Sequence, residues 1–249
     1  MADNENAAAV PAGASKLKPG TRIAGDLDLS RTNVQTLPKK FQVSGNLNLS
    51  GTAVMRLPKD LKVGGSLDLS DSAIKRLPDN LYIPGDLLLI GTRIKLLPKG
   101  LHVGGTLDLR ASGVLELGKG LRVGGNLDLS GTMVKQIPSG TRVAGNLYLA
   151  SSWIIQLPPN IEIGGGLDLS GTAITRLPSK IRVRSWLNLA GATIEQLPQR
   201  LVVDDWLDLR GTLIRKIPKK LRVGGSLYLE GTPVDGLPKG LDVSGRIEL

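Results

Sequence analysis

The chain has 249 residues, 41 % hydrophobic but only 3 % aromatic, and carries 32 Lys and Arg against 22 Asp and Glu, with one His and no Cys. The formal charge is +10. This composition excludes disulfides, thiolate chemistry and any site needing two histidines, contains no apolar run near the roughly 18 residues of a membrane span, and leaves Leu, Val and Ile to fill the core.

Residues 1–20, MADNENAAAVPAGASKLKPG, lack the basic start and apolar segment of a secretory signal. They read as a flexible leader and a partial N-terminal cap, with LKPG a half-copy of the LPKG found further along the chain. The expected location is cytoplasmic, or exported without a classical signal peptide.

From Thr21 the sequence repeats every 20 residues without insertion or deletion as far as Leu249. With Thr21 at position 1, position 7 is Leu from Leu27 to Leu227 and Ile247 in the last copy, and position 9 is Leu from Leu29 to Leu249. Positions 3 and 14 are always Val or Ile, position 17 is Leu or Ile, and Pro stands at position 18 except at Gly118. The apolar alternation at 7 and 9 predicts a strand with one buried face. The alternation at 1 and 3 predicts a second, shorter strand, and the Gly-rich positions 4 and 5 a corner between them. Pro at position 18 belongs on the return path, because it has no N–H for a ladder. Two such strands cannot form an independent core, so the copies must stack. The fold class is therefore mainly β, a single solenoid of about eleven 20-residue coils with parallel strands over residues 21–249, about 50 Å long at the usual strand spacing.

Within each coil the polar positions fall into distinct sets. Position 12 is Thr or Ser in every coil but that of Ala192, which predicts an internal hydroxyl ladder satisfying backbone groups rather than an ice-binding array. Positions 6, 8 and 10 should point away from the core. They hold ten acids, among them Asp28, Asp68, Asp108, Asp128, Asp168 and Asp208, against Arg110, Arg210 and Arg246. Positions 2, 15, 16, 19 and 20 hold 24 cations against seven acids. An acidic strand face and a basic back are expected. The Gly pairs, as in VGGNL, are corners and not phosphate loops, and no Gly–Asp nonapeptide of a calcium β-roll is present.

Function in a repeat array is sought where surface positions depart from the repeat. Leu88 and Ile90 are a minor departure, and His102, at position 2, reads as a surface residue. The main one is in RVRSWLNL (182–189) and VVDDWLDL (202–209), where the Gly corner is lost and Trp stands at position 6. Trp186 and Trp206 share a position in adjacent coils, so their rings should stack. Tyr148, Asp208, Arg210 and Tyr228 lie on the same face. Exposed Trp, Tyr and Arg make up the usual hot spot for a protein partner. No nucleophile–base pair can be assembled around a single His, and no cofactor or metal site is expected.

LDLSGTMV (127–134) reads as L-x-L-x-x-N-x-L with Thr in the Asn place, and so resembles the leucine-rich repeat over residues 21–249. The 20-residue length and the LP at positions 17 and 18 resemble the short repeats of effector proteins that pathogenic bacteria inject into host cells. The sequence departs from that pattern in two ways: Thr or Ser replaces the Asn ladder, and Gly stands at position 4 with the apolar residue moved to position 3. The resemblance implies binding, with the parallel sheet as a docking surface for protein, and the expected function is a non-enzymatic scaffold. Two further expectations concern other partners: nucleic acid or an anionic surface on the basic back, and, at the last strand LDVSGRIEL, either continuation of the natural chain or end-to-end pairing of two copies, with the charges of Arg246 and Glu248 blunting the edge as the monomeric alternative.

Overall fold

The computed structural model describes residues 17–249, and the leader's residues 1–16 lie outside them. The chain winds as a parallel solenoid with one turn per 20 residues and no helix among the described residues. Strands occupy positions 7 and 8 of every coil, from Leu27–Asp28 to Ile247–Glu248, and join into one twelve-stranded parallel sheet. A second set at positions 2 and 3, from Arg22–Ile23 onward, lies where the 1-and-3 alternation predicts it, one residue later. A third side has only isolated bridges at position 16, such as Arg56 with Arg76.

Register obeys the repeat: Leu107 pairs with Leu127, and Val103 with Val123. The two ladders donate in opposite directions. At position 7 the N–H reaches forward to the next coil, as from Leu127 to the Asn146 carbonyl at 2.9 Å. At position 2 it reaches back, as from Arg122 to the Leu101 carbonyl at 3.0 Å. Each interior coil is thus tied to both neighbours by donors as well as acceptors.

Between the ladders runs one continuous core of Leu, Val and Ile from positions 1, 3, 7, 9, 14 and 17, with Phe41 its sole aromatic among the described residues. The hydroxyl ladder forms as expected. Thr52, Ser72, Thr92, Thr132, Thr172 and Thr212 each donate to the position-9 carbonyl three residues back, at 2.6–2.8 Å. Ser112 and Ser152 bury hydroxyls without a partner among the described residues. Leu17 packs against the core beside the first coil.

The corner glycines serve a different purpose from the one expected. Apart from Gly25, those at positions 4 and 5 do not have positive φ. They are small because the coils touch there: a Cβ on Gly124 would overlap the Gly104 carbonyl oxygen, and one on Gly64 that of Ser44. Left-handed backbone occurs instead at positions 11 and 20, as at Gly131 (φ 68°), Ala111 (φ 54°) and Asn80 (φ 57°). The position 2–3 ladder is split into sheets of three, five and four strands. One break lies at Pro84, which has no N–H to give to the preceding coil. The other lies between Glu162–Ile163 and Arg182–Val183, where Arg184 and Ser185 replace the glycines.

This packing sets the cost of two pairs of substitutions. Leu129 is fully buried and Ser130 only half so. Leu129→Ala should cost about 2–5 kcal/mol in chemical denaturation, and Ser130→Ala a few tenths at most. Nothing lies within 4 Å of a Cβ built on Gly131. Gly131→Ala should therefore cost only the left-handed strain, about 1–2 kcal/mol, and Gly124→Ala more than that, because backbone must move.

Candidate binding surface on the long sheet

The outer side of the twelve-stranded sheet is built from positions 6, 8 and 10, and most of its polar groups are committed to the backbone. At position 8 the Asp or Asn side chain turns back onto the chain. Its Oδ1 accepts from the N–H two residues on at 2.8–3.0 Å in Asp28, Asn48, Asp68, Asp108, Asp128, Asp168, Asn188 and Asp208. This is an Asx turn closing eight of the twelve strands, which the short Asp or Asn side chain supplies locally. The acidic column is therefore largely a structural part; Asp68, Asp128 and Asp168 are half-buried, and Asp108 and Asp208 are buried.

Position 6 provides a second ladder. Side-chain oxygens of Asp26, Asn46, Ser66, Asp86, Asn126 and Asn146 each accept the position-6 N–H of the next coil at 2.6–2.9 Å. The ladder stops at Gly166. With no side-chain oxygen at Gly166, Trp186 or Trp206, the N–H groups of Trp186, Trp206 and Ser226 have no acceptor among the described residues. In the same two coils the corner bonds weaken. Arg184 and Ser185 make none through their N–H groups, and Asp204 reaches Val183 only at 3.3 Å. Elsewhere the equivalent bond, Gly124 to Val103, is 2.8 Å.

Into this opening fall the aromatic side chains. The indoles of Trp186 and Trp206 stack with centroids 5.2 Å apart and planes 6° from parallel, as their shared position predicts. Trp186 leans back over Gly166, whose Cβ would overlap the indole, and meets Tyr148 at 5.9 Å and 41°. Asn146 Nδ2 donates to the Tyr148 hydroxyl at 2.9 Å, fixing that ring. Tyr148, Trp186 and Trp206 thus form one half-exposed aromatic ladder.

Beside it lies a second group. Asp208 is buried and takes the Arg210 guanidinium on both oxygens, with Nε at 3.0 Å from each. This hydrogen-bonded carboxylate raises the already high pKa of Arg210, so the guanidinium stays charged at any physiological pH. The guanidinium sits over Tyr228, 5.4 Å from the ring centroid, within cation–π range. Of the six residues anticipated on this face, five present side chains to solvent, and Asp208 reaches it only by holding Arg210. Arg110 repeats the device on Asp108 and also approaches Asp128 at 3.5 Å, without a tyrosine. Leu88 and Ile90 are only half-buried. His102 is exposed on the position-2 ladder, 5.0 Å from Tyr82.

One cluster is not anticipated by the repeat. On the third side, Leu96, Leu115, Trp153 and Ile155 are all exposed, and the Lys135 ammonium lies 5.7 Å from the Trp153 ring centre. The sequence signal is apolar residues at positions 13, 15 and 16, which elsewhere are mostly polar or small.

No protein-family model matches the chain, and no curated protein does. Among solved structures it is similar to the leucine-rich effector protein YopM of Yersinia pestis, at 15 % identity and a TM-score of 0.43 over 90 % of this chain and 83 % of that one. A leucine-rich-repeat protein of Leptospira interrogans matches at 17 % identity and a TM-score of 0.30, over 84 % of this chain and 79 % of its own. YopM of Yersinia enterocolitica matches at 15 % and 0.30, over 89 % and 72 %. The architecture, a leucine-rich-repeat-like parallel solenoid, rests on the chain's own coil geometry.

Gly166→Ala tests the packing of the ladder. The added methyl should displace the Trp186 indole, shift tryptophan emission and near-ultraviolet circular dichroism, and cost about 1–3 kcal/mol as an overpacking change. Unchanged spectra would mean that Trp186 does not rest on Gly166.

Proposed function

We propose that the chain is a non-enzymatic scaffold that docks a protein partner on the outer side of its long sheet, centred on Tyr148, Trp186, Trp206, Arg210 and Tyr228. The observation that carries this reading is the aromatic ladder, half-exposed at the one stretch where the position-6 side-chain ladder lapses for three coils in succession. Rigid rings with few rotamers, next to an arginine already oriented by a buried carboxylate, make high-energy contacts at low entropic cost. The resemblance of the repeat to those of bacterial effectors fits a scaffold of this kind. A catalytic role finds little support in a chain with one surface His and no Cys.

Of the alternative, a basic back that binds nucleic acid or an anionic surface, the nucleic-acid reading is the less well supported. Two of the position-2 arginines pair with acids, Arg142 with Glu162 at 3.2 Å and Arg222 with Asp242 at 3.3 Å. The aromatic pair on that ladder is Tyr82 with His102, short of the interleaved stacking platform that single-strand binders use.

A partner isolated on the immobilised chain should lose about 30-fold in affinity on Trp206→Ala, the equivalent of about 2 kcal/mol for a hot-spot residue. Arg210→Ala should weaken it as well, and Trp153→Ser, on another side of the coil, should leave it unchanged. Partners indifferent to both strand-face substitutions would overturn the reading.

A further inference from the structure

The third side of the coil, at positions 13 to 16, carries a surface of another kind. In ten of the eleven full coils, positions 13 to 20 include at least one charged residue; in residues 153–160, WIIQLPPN, there is none. Trp153 and Ile155 of this coil are 55 and 50 % exposed, and they continue a patch begun by Leu96 at 53 % and Leu115 at 41 %. With Met133 and Pro138, the apolar side chains of Leu115 and Trp153 line an open groove of about 680 Å³.

The setting of the patch is cationic. Positions 13 to 20 of the three preceding coils hold Arg93, Lys95, Lys99, Lys119 and Lys135 against the single acid Glu116. The cations are interleaved with the apolar residues and do not form a rim around them. Lys135 lies directly over the Trp153 ring, and Lys119 and Lys135 both line the groove. A protein-binding core is depleted of charge and polar only at its edge. Exposed Trp, Ile and Leu alternating with lysines that extend their ammonium groups past them is instead the arrangement of a side-chain layer at a membrane interface. There the aromatic and aliphatic groups enter the headgroup region while the ammonium groups meet lipid phosphate and carboxylate.

We propose that this side of the solenoid docks on an anionic lipid bilayer, with Trp153 and Ile155 as the inserting residues, Leu115 and Leu96 beside them, and Lys95, Lys119 and Lys135 as the headgroup contacts. No helix among the described residues is long and apolar enough to cross a membrane; the attachment is peripheral. Because the aromatic ladder is on positions 6 and 8 and the inserting residues on 13 and 15, a docked molecule keeps its long sheet free for a partner.

The test is co-sedimentation of the full chain with vesicles of mixed phosphatidylserine and phosphatidylcholine, and with phosphatidylcholine alone, while tryptophan emission is recorded. The wild-type chain should bind the mixed vesicles at low salt with a blue shift in emission, and bind the neutral ones at least tenfold more weakly. The double variant Trp153→Ser/Ile155→Ser should lose at least tenfold in partitioning and all of the blue shift, though Trp186 and Trp206 remain. Lys135→Glu should weaken binding with the apolar pair intact, and Trp206→Ala should bind as wild type. Thermal melting confirms that each variant is folded. Failure to bind mixed vesicles, or equal binding by the double variant, overturns the proposal; the latter would reduce the effect to charge alone. Binding of an acidic amphipathic peptide on this side without binding of vesicles also overturns it, and makes the patch a protein site.

Discussion

Twenty residues cannot bury their own apolar side chains, so each coil is stable only in register with the coils on either side. That register is enforced twice. One ladder reaches forward with its N–H groups and the other back, and both demand the same backbone path in every turn. Small residues at positions 4 and 5 are a consequence, since neighbouring backbones meet there. The Asx turn at position 8 and the position-6 oxygens are another, because N–H groups leaving the ladders need acceptors that recur every 20 residues.

The same constraint decides where a binding surface can arise. Side chains at positions 6 and 8 are ordinarily occupied with the backbone of their own or the next coil. Tyr148, Trp186, Trp206 and Tyr228 are not, and each stands where a short polar side chain usually makes that bond. Arg184 and Ser185 in place of glycine sever the position 2–3 ladder beside them. A local loss of inter-coil bonding and a gain of aromatic surface occur together in these coils, which is what the proposed docking site rests on.

Much of this is legible in the sequence, because a strict 20-residue period turns each position into a column of repeated observations. The buried positions, the two strands, the hydroxyl ladder and the Trp186–Trp206 stack all come from it. Other features are not legible, for identifiable reasons. Glycine is used both for positive φ and for close approach, and the letters do not distinguish Gly131 from Gly124. An Asp column reads as surface charge until the N–H two residues on is seen to occupy its oxygen, so the acidic face is more structural than its count of carboxylates suggests. Asp208 is readable as a contact, but its burial makes it the holder of Arg210. The third side escapes a column-by-column reading because Leu96, Leu115, Trp153 and Ile155 are spread over positions 13, 15 and 16 of three coils and no single column carries them; only the winding of the chain gathers them.

The central claim is that the corner bonds and the position-6 side-chain ladder lapse together at the coils of Trp186 and Trp206, whereas the gaps at Pro84 and at the Asn126 N–H are confined to one ladder and one coil each, and amide hydrogen exchange on the free chain tests it most directly. The N–H groups of Gly124, Gly125, Gly145 and Asn146 have acceptors and should be strongly protected, as interior ladder positions are. Those of Arg184, Ser185, Trp186 and Trp206 should exchange far faster, although they lie just as far inside the array. Uniform protection across both sets would contradict the claim, because it would leave the aromatic ladder as an addition to an unbroken repeat.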